Sequence, residues 1–327
     1  MCELRLILTI AIAASLQWIP SVVAQDWPTR PVTMVVAFPA GGSDDILGRV
    51  VAARLSELLG QPVNVENVSG AGGMAGTARV AKAAPDGYQI ALGTSATHAV
   101  SQVAHKNPPY DSIADFIPVA LIAEQPFVLV SRKDFPANGL QEFVAYARSN
   151  EMKMQYGSAG TGSATHLVCA LLDVAISIKA KHIPYNGGAP ALRDLVDGKI
   201  DYFCPVVTIA IPQIEKGGVK AVAILSKNRA PILSNLASAA EQGLTNFAAS
   251  TWFAIFLPKG TPGPIVQRLH TAIMATMETP AVQARFKEIG ADMVVPERRS
   301  PEYLQSFLKN EIDKWAVAIK AANLKVD

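Results

Sequence analysis

The stretch VTMVVAFPAGGSDDILGRVVAARLSELLG, residues 32–60, decides the fold class. Val32 to Phe38 is a continuous apolar and β-branched run bounded by Pro31 and Pro39, which reads as a strand buried on both faces. Leu47, Val51, Leu55 and Leu59 then recur at four-residue spacing, with Ile46 and Val50 beside them, which is the period of a helix. Ser43 or Asp44 is placed to cap its start and Gly60 its end. Between the two elements, Gly41-Gly42 lets backbone amides turn inward with no Cβ obstructing a ligand. Strand, glycine turn and helix are thus the opening unit.

The same alternation continues along the chain. Val63 to Val65 and Gln89 to Leu92 read as strands, Ser69 to Gly73 as a glycine-rich turn and Met74 to Ala84 as a helix. Further strands are expected at Phe127 to Val130, Gln155-Tyr156, Lys181 to Pro184, Tyr202 to Cys204, Val219 to Ile224 and Trp252 to Leu257. Helices are expected near 140–148, 189–196, 209–215, 264–277 and 301–322, the last behind Ser300 as cap. Such alternation predicts an α/β protein with mainly parallel sheets. About 300 residues at 50% hydrophobic composition exceed what one compact core holds, so two lobes follow.

The N-terminus, MCELRLILTIAIAASLQWIPSVVAQ, has Arg5, an apolar run from Leu6 to Leu16 and a small-residue exit at Val22 and Ala24. It predicts a secretory signal spanning residues 1–24, cleaved after Ala24, and therefore an exported, periplasmic protein. Its removal takes away Glu3 and Arg5, so the formal charge stays at +2 and suggests no nucleic-acid partner. Cys169 and Cys204 remain as an even pair where disulfides form, and two readings stay open: a bridge, or two small buried apolar side chains.

The second glycine turn, YGSAGTGSATH at 156–166, sets Gly157, Gly160 and Gly162 among hydroxyls and opens an apolar helix through Leu167, Leu171 and Leu172. Free amides and hydroxyls at a helix start are what a carboxylate accepts from. The spacing G-x-x-G-x-G reverses the dinucleotide fingerprint, so no cofactor is expected. The five histidines carry no H-E-x-x-H or Cys/His cluster, so no metal is expected, and no G-x-S-x-G elbow marks a catalytic residue. A hydrolase using Ser158 or Ser163 with His166 is a rival reading. The segment HIPYNGGAPALRDLVDGKIDYF has a loop at Asn186-Gly187-Gly188 and Pro190 just inside a helix, and it is expected to line the same cleft. Tyr185 either contacts a ligand there or packs at a lobe edge.

Taken together, WPTRPVTMVVAFPAGGSDD, NVSGAGGMAGT, AAPDGY, GTSATHAV, YGSAGTGSATHL, HIPYNGGAPAL and WFAIFLPKGTP resemble, in order, the substrate-binding receptors of tripartite tricarboxylate transporters, also called Bug receptors. The resemblance implies a periplasmic-binding-protein-like Venus flytrap, monomeric, with residues 25–124 and 250–327 in one lobe, 125–249 in the other, and a double-crossing hinge. It also implies a small organic carboxylate as ligand and the permease subunits of a secondary transporter as partner. A receptor feeding a sensor kinase is the alternative. Carried over by position, the ligand would meet Phe38, Ala40, Gly41, Gly42 and Asp45 on one side. On the other it would meet Tyr156, Ser158, Gly160, Thr161, Gly162, Ser163 and Thr165, with Ser95 and Thr97 adding polar contacts. Asp44 departs from the uncharged residue the family often has.

Overall fold

The computed structural model describes residues 27–321; the expected signal segment and Cys2 lie outside them. Strand β1 (Val32–Val36) leads into helix α1 (Ser43–Leu59), followed by β2 (Val63–Asn67), α2 (Met74–Ala81) and β3 (Gln89–Thr94). β1 lies between β2 and β3, parallel to both. Its side chains alternate between two cores, as a strand's must. Val32, Met34 and Val36 join Leu47, Val51 and Leu55 of α1, whereas Val35 joins Met74 and Val80 beside α2. Gly48 lets α1 sit close, since a Cβ there would stand 3.1 Å from Val36 Cγ2 and 3.3 Å from Leu92 Cδ2.

After a π-helical turn at Ser95–Val100, the chain adds β4 (Phe116–Pro126) to this sheet, and one residue later β5 (Val128–Arg132) begins the next. The second sheet holds β6 (Gln155–Ser158), β7 (Lys181–Pro184), β8 (Tyr202–Phe203) and β9 (Val219–Ile224), with helices α3 (Leu140–Ser149), α4 (Ala164–Ala175), α5 (Gly188–Val196) and α6 (Val207–Glu215). The chain returns through β10 (Ser250–Pro258), then α7 (Gly263–Met277), α8 (Pro280–Glu288), β11 (Asp292–Met293) and α9 (Pro301–Ala321). The orders are β11-β4-β10-β3-β1-β2 and β7-β6-β8-β5-β9.

The sheets are mixed rather than mainly parallel. β10 runs antiparallel to both β3 and β4, and β5 runs antiparallel to β8 and β9. The reason is the double crossing: the outgoing strand β4 and the incoming strand β10 lie side by side, so they must point in opposite directions. Phe127 N–H donates to Ala249 O at 3.4 Å where the two crossings meet. One apolar cluster belongs to the first sheet and another to the second, but a third joins Trp252, Leu304 and Leu308 to Leu129, Phe143 and Tyr202. The two units therefore share a core at the crossing.

Candidate functional site

The first turn is anchored from beneath, where Asn67 Nδ2 donates to Phe38 O at 2.9 Å. Gly41 takes a left-handed φ of 81°, a conformation open to glycine without steric cost. The cap of α1 differs from expectation. Gly42 holds the cap position without a side-chain bond, and both aspartates fall in the first helical turn. Asp45 turns back, its Oδ2 accepting from Gly41 N–H at 2.9 Å while Oδ1 pairs with Arg49 at 2.9 Å. Burial works against its charge, but these partners outweigh it and keep the carboxyl below the usual range. Asp44 instead accepts from Ser43 Oγ at 3.1 Å, and burial pushes it up to about 6.

The second turn is held by its own hydroxyls. Ser163 caps α4 by accepting from His166 N–H at 3.3 Å and lies 3.0 Å from Thr165 Oγ1, which accepts from Ala159 N–H at 2.8 Å. Ser158 Oγ bonds His182 Nε2 at 2.7 Å and bridges the amide and carbonyl of Gly160 at 3.1 Å each. Gly162 N–H donates to His166 Nδ1 at 3.2 Å, so that nitrogen carries no proton. The His166 and His182 rings stack 3.9 Å apart, and burial lowers both to about 4, with His166 adding to the shift of His182.

A third turn, Asn186-Gly187-Gly188, opens α5. Gly187 has φ 109°, and a Cβ on it would stand 3.1 Å from Pro39 Cγ of the first turn. The starts of α1, α4 and α5 thus converge from two sheets on one cavity of about 230 Å³. Phe38, Pro39, Ala40, Gly42, Ser43 and Asp44 line one wall; Ala159, Ser163, Ala164, Thr165, the segment 186–190 and Arg193 line the other. Thr94, Ala96, Phe127, Val206, Ile209, Thr251 and Phe253 complete the lining. An adjoining cavity of about 300 Å³ shares Phe38, Pro39, Ala159 and Asn186 and reaches Ser69 to Gly73, Gly160, Thr161 and Tyr185, so the two form one slot. Helix starts carry unpaired N–H groups and a partial positive charge, which favour an anion.

Of the residues carried over by resemblance, Phe38, Ala40, Gly42, Ser163 and Thr165 line the main cavity, and Gly160 and Thr161 the adjoining one, where Tyr185, singled out from its own segment, also lies. Gly41 and Gly162 give their amides to Asp45 and His166. Tyr156 and Ser158 lie buried behind the second turn, against His182. Ser95 bonds Thr251 at 2.8 Å, and Thr97 caps Thr94 N–H at 3.0 Å and meets His98 Nδ1 at 2.9 Å. Tyr185 donates its hydroxyl to Asp194 at 3.0 Å, toward the edge. Cys169 and Cys204 form a disulfide, Cα atoms 5.6 Å apart, tying α4 to the end of β8. Among the described residues no His, Cys, Asp and Glu group of three or more could hold a metal, and no helix is long and apolar enough to cross a membrane.

Comparison with known proteins gives a consistent family. Residues 47–324 match the tripartite tricarboxylate transporter family receptor. A protein of Agrobacterium vitis, from the TAR-I ttuE-ttuC' intergenic region, is 37% identical over 319 residues, covering 97% of this chain and 91% of its own. The structure of MatC from Rhodopseudomonas palustris with bound malate superposes with a TM-score of 0.86 at 36% identity, covering 90% of this chain and 100% of MatC. Another R. palustris protein, solved with adipate, gives 0.87 at 34%, covering 91% and 99%.

Proposed function

The chain belongs to the tripartite tricarboxylate transporter receptor family and is a solute-binding receptor, and from that premise we propose that its slot holds the carboxylate of a small organic acid between two lobes and hands it to membrane permease subunits. The observation that carries this reading is the convergence of three helix starts, from both sheets, on a single slot. Malate and adipate in the related structures are themselves carboxylates.

The lobes in this reading are residues 25–124 with 250–327, and 125–249. Ligand that touches both favours the closed arrangement by its differential affinity for it, and the closed form docks on the permease. The chain works as a periplasmic monomer once its signal has been removed. Charge-assisted hydrogen bonds of about 1.5 to 3 kcal/mol each, with about 1 kcal/mol from each helix end, reach the roughly 8 kcal/mol of micromolar affinity after association costs. No bond need be broken. Ser158, the serine nearest to a hydrolytic arrangement, is fully buried with its hydroxyl between His182 and Gly160, outside the cavity lining.

A thermal-shift panel of organic acids tests this. A carboxylate present at 100 times its dissociation constant stabilises the protein by about 2.7 kcal/mol. Silence for every carboxylate, with a response to neutral solutes, would overturn the reading.

A further inference from the structure

Among the described residues only two charged side chains line the main cavity, and they come from opposite sheets: Asp44 at the start of α1 and the exposed Arg193 on α5. Neither has a salt-bridge partner among the described residues. The contrast with the adjacent Asp45 is instructive. That carboxylate is neutralised by Arg49 and occupied by the Gly41 amide, so it helps to build the turn. Asp44 accepts from Ser43 Oγ at 3.1 Å and from its own backbone amide, and as a carboxylate with about four acceptor sites it keeps capacity on a half-buried group that lines the cavity.

We propose that Asp44 is a specificity residue that makes this slot select an ammonium-bearing carboxylate, an amino acid, over the same carbon skeleton without the amino group. The inference rests on the carboxylate reading above and adds the second group that the ligand must carry. The ligand carboxylate goes to the helix starts and Arg193, and its ammonium donates to Asp44. Burial raises Asp44 to about 6, so roughly nine-tenths of it is still ionised at pH 7. A second ligand carboxylate at that position would meet a like charge on a half-buried group, which is unfavourable. An ammonium there regains part of the solvation that burial has removed, by a charge-assisted hydrogen bond. A zwitterion therefore meets a complementary charge on each wall.

The test is calorimetric titration of the purified protein at pH 7.5 with matched pairs: L-aspartate and succinate, L-glutamate and glutarate, L-leucine and 4-methylpentanoate, L-phenylalanine and 3-phenylpropanoate. In at least one pair the amino acid is expected to bind tenfold or more tightly than its partner, and Asp44→Asn to shrink that ratio at least tenfold by weakening the amino acid. Melting curves show that the variant is folded. Partners without the amino group that bind as tightly as the amino acids, or a ratio unmoved in Asp44→Asn, would overturn the inference and leave the carboxylate reading intact. Silence for both members of every pair overturns this inference, and the wider panel of organic acids then decides the carboxylate reading on its own.

Discussion

A methyl group added at Gly72 should act on ligand affinity through the contact between the two sheets' loops. Gly72 sits in the turn before α2 with φ 64° and ψ 19°. A Cβ there would stand 3.1 Å from Thr161 O, 3.3 Å from Gly162 C and 3.5 Å from Ser163 N, all backbone atoms of the second turn across the slot. Gly72→Ala therefore has two separable effects. The left-handed backbone costs about 1 to 2 kcal/mol with a Cβ present, less about 0.4 to 1 kcal/mol gained by restricting the unfolded chain. That effect on stability is present whether the slot is open or closed. The crowding against Thr161 is felt only when the loops meet, and overpacking of this kind costs about 1 to 3 kcal/mol, which corresponds to a fall in affinity of roughly 5- to 150-fold. Gly217 supplies the control, since it has φ 65° and nothing within 4 Å of its would-be Cβ. Urea unfolding should show similar small losses for Gly72→Ala and Gly217→Ala. Titration with the carboxylate that gives the largest thermal shift should show weakened binding for Gly72→Ala alone. Affinity within twofold of wild type for Gly72→Ala, or an equal loss for Gly217→Ala, would refute the reasoning.

Replacing both bridged cysteines by alanine removes a cross-link over a sequence separation of 35 residues, which should lower stability by about 2 to 4 kcal/mol by chain entropy; a loss under about 1 kcal/mol in urea unfolding would contradict it. His182→Gln should flatten the dependence of stability on acid. Burial, then His166, hold His182 near 4, against 6.5 for the free side chain, so on acidification the unfolded chain takes up a proton before the native one does. Stability from this group is complete above pH 6.5 and is lost as pH falls toward 4. The full shift would correspond to about 3 kcal/mol, and partial exposure of the ring reduces this to roughly half. Asp173 and Asp44, raised by burial to about 7 and about 6, act in the opposite direction in both proteins. The quantity to compare is therefore the change in urea midpoint between pH 6.5 and 4.5 in wild type against the variant, and equal changes would count against a buried neutral His182.

The β1 to α1 unit was legible because its signals agree: an unbroken apolar run between prolines, then apolar residues at helical spacing closed by Gly60. β4 was hidden by Pro118 and Pro126, which argue against a strand. Pro118 is accommodated at a register shift opposite Phe256, and the chain runs on through both residues. Strand direction was hidden for a different reason, since it depends on which strands become neighbours, and the crossing decides that. At the slot, glycine turns pointed to Gly42, Ser163 and Thr165. The same cue could not show that Thr97 caps Thr94 or that Ser158 faces inward to His182, because a hydroxyl beside a glycine serves a local cap as readily as a ligand. Phe127 and Thr251 enter the lining at the two crossings, and Val206 from the cap of α6, all outside any glycine-loop motif. Arg193 carried no such cue: it lies in the last turn of α5, away from the glycine loop that opens the helix.

The second turn also depends on chemistry that lies behind it. His166 Nδ1 accepts the Gly162 amide, and that bond exists only while the nitrogen is unprotonated. Stacking on His182 at 3.9 Å adds to this preference, because two imidazolium rings at that distance would repel each other. Ser158 then joins His182 to both ends of the Gly160 peptide segment. The neutral pair therefore fixes the backbone course from Ser158 to Ser163 without placing a charge beside the slot. That leaves Asp44 and Arg193 as the charged side chains in the lining of the main cavity, and the proposal that the slot selects a zwitterion rests on those two positions.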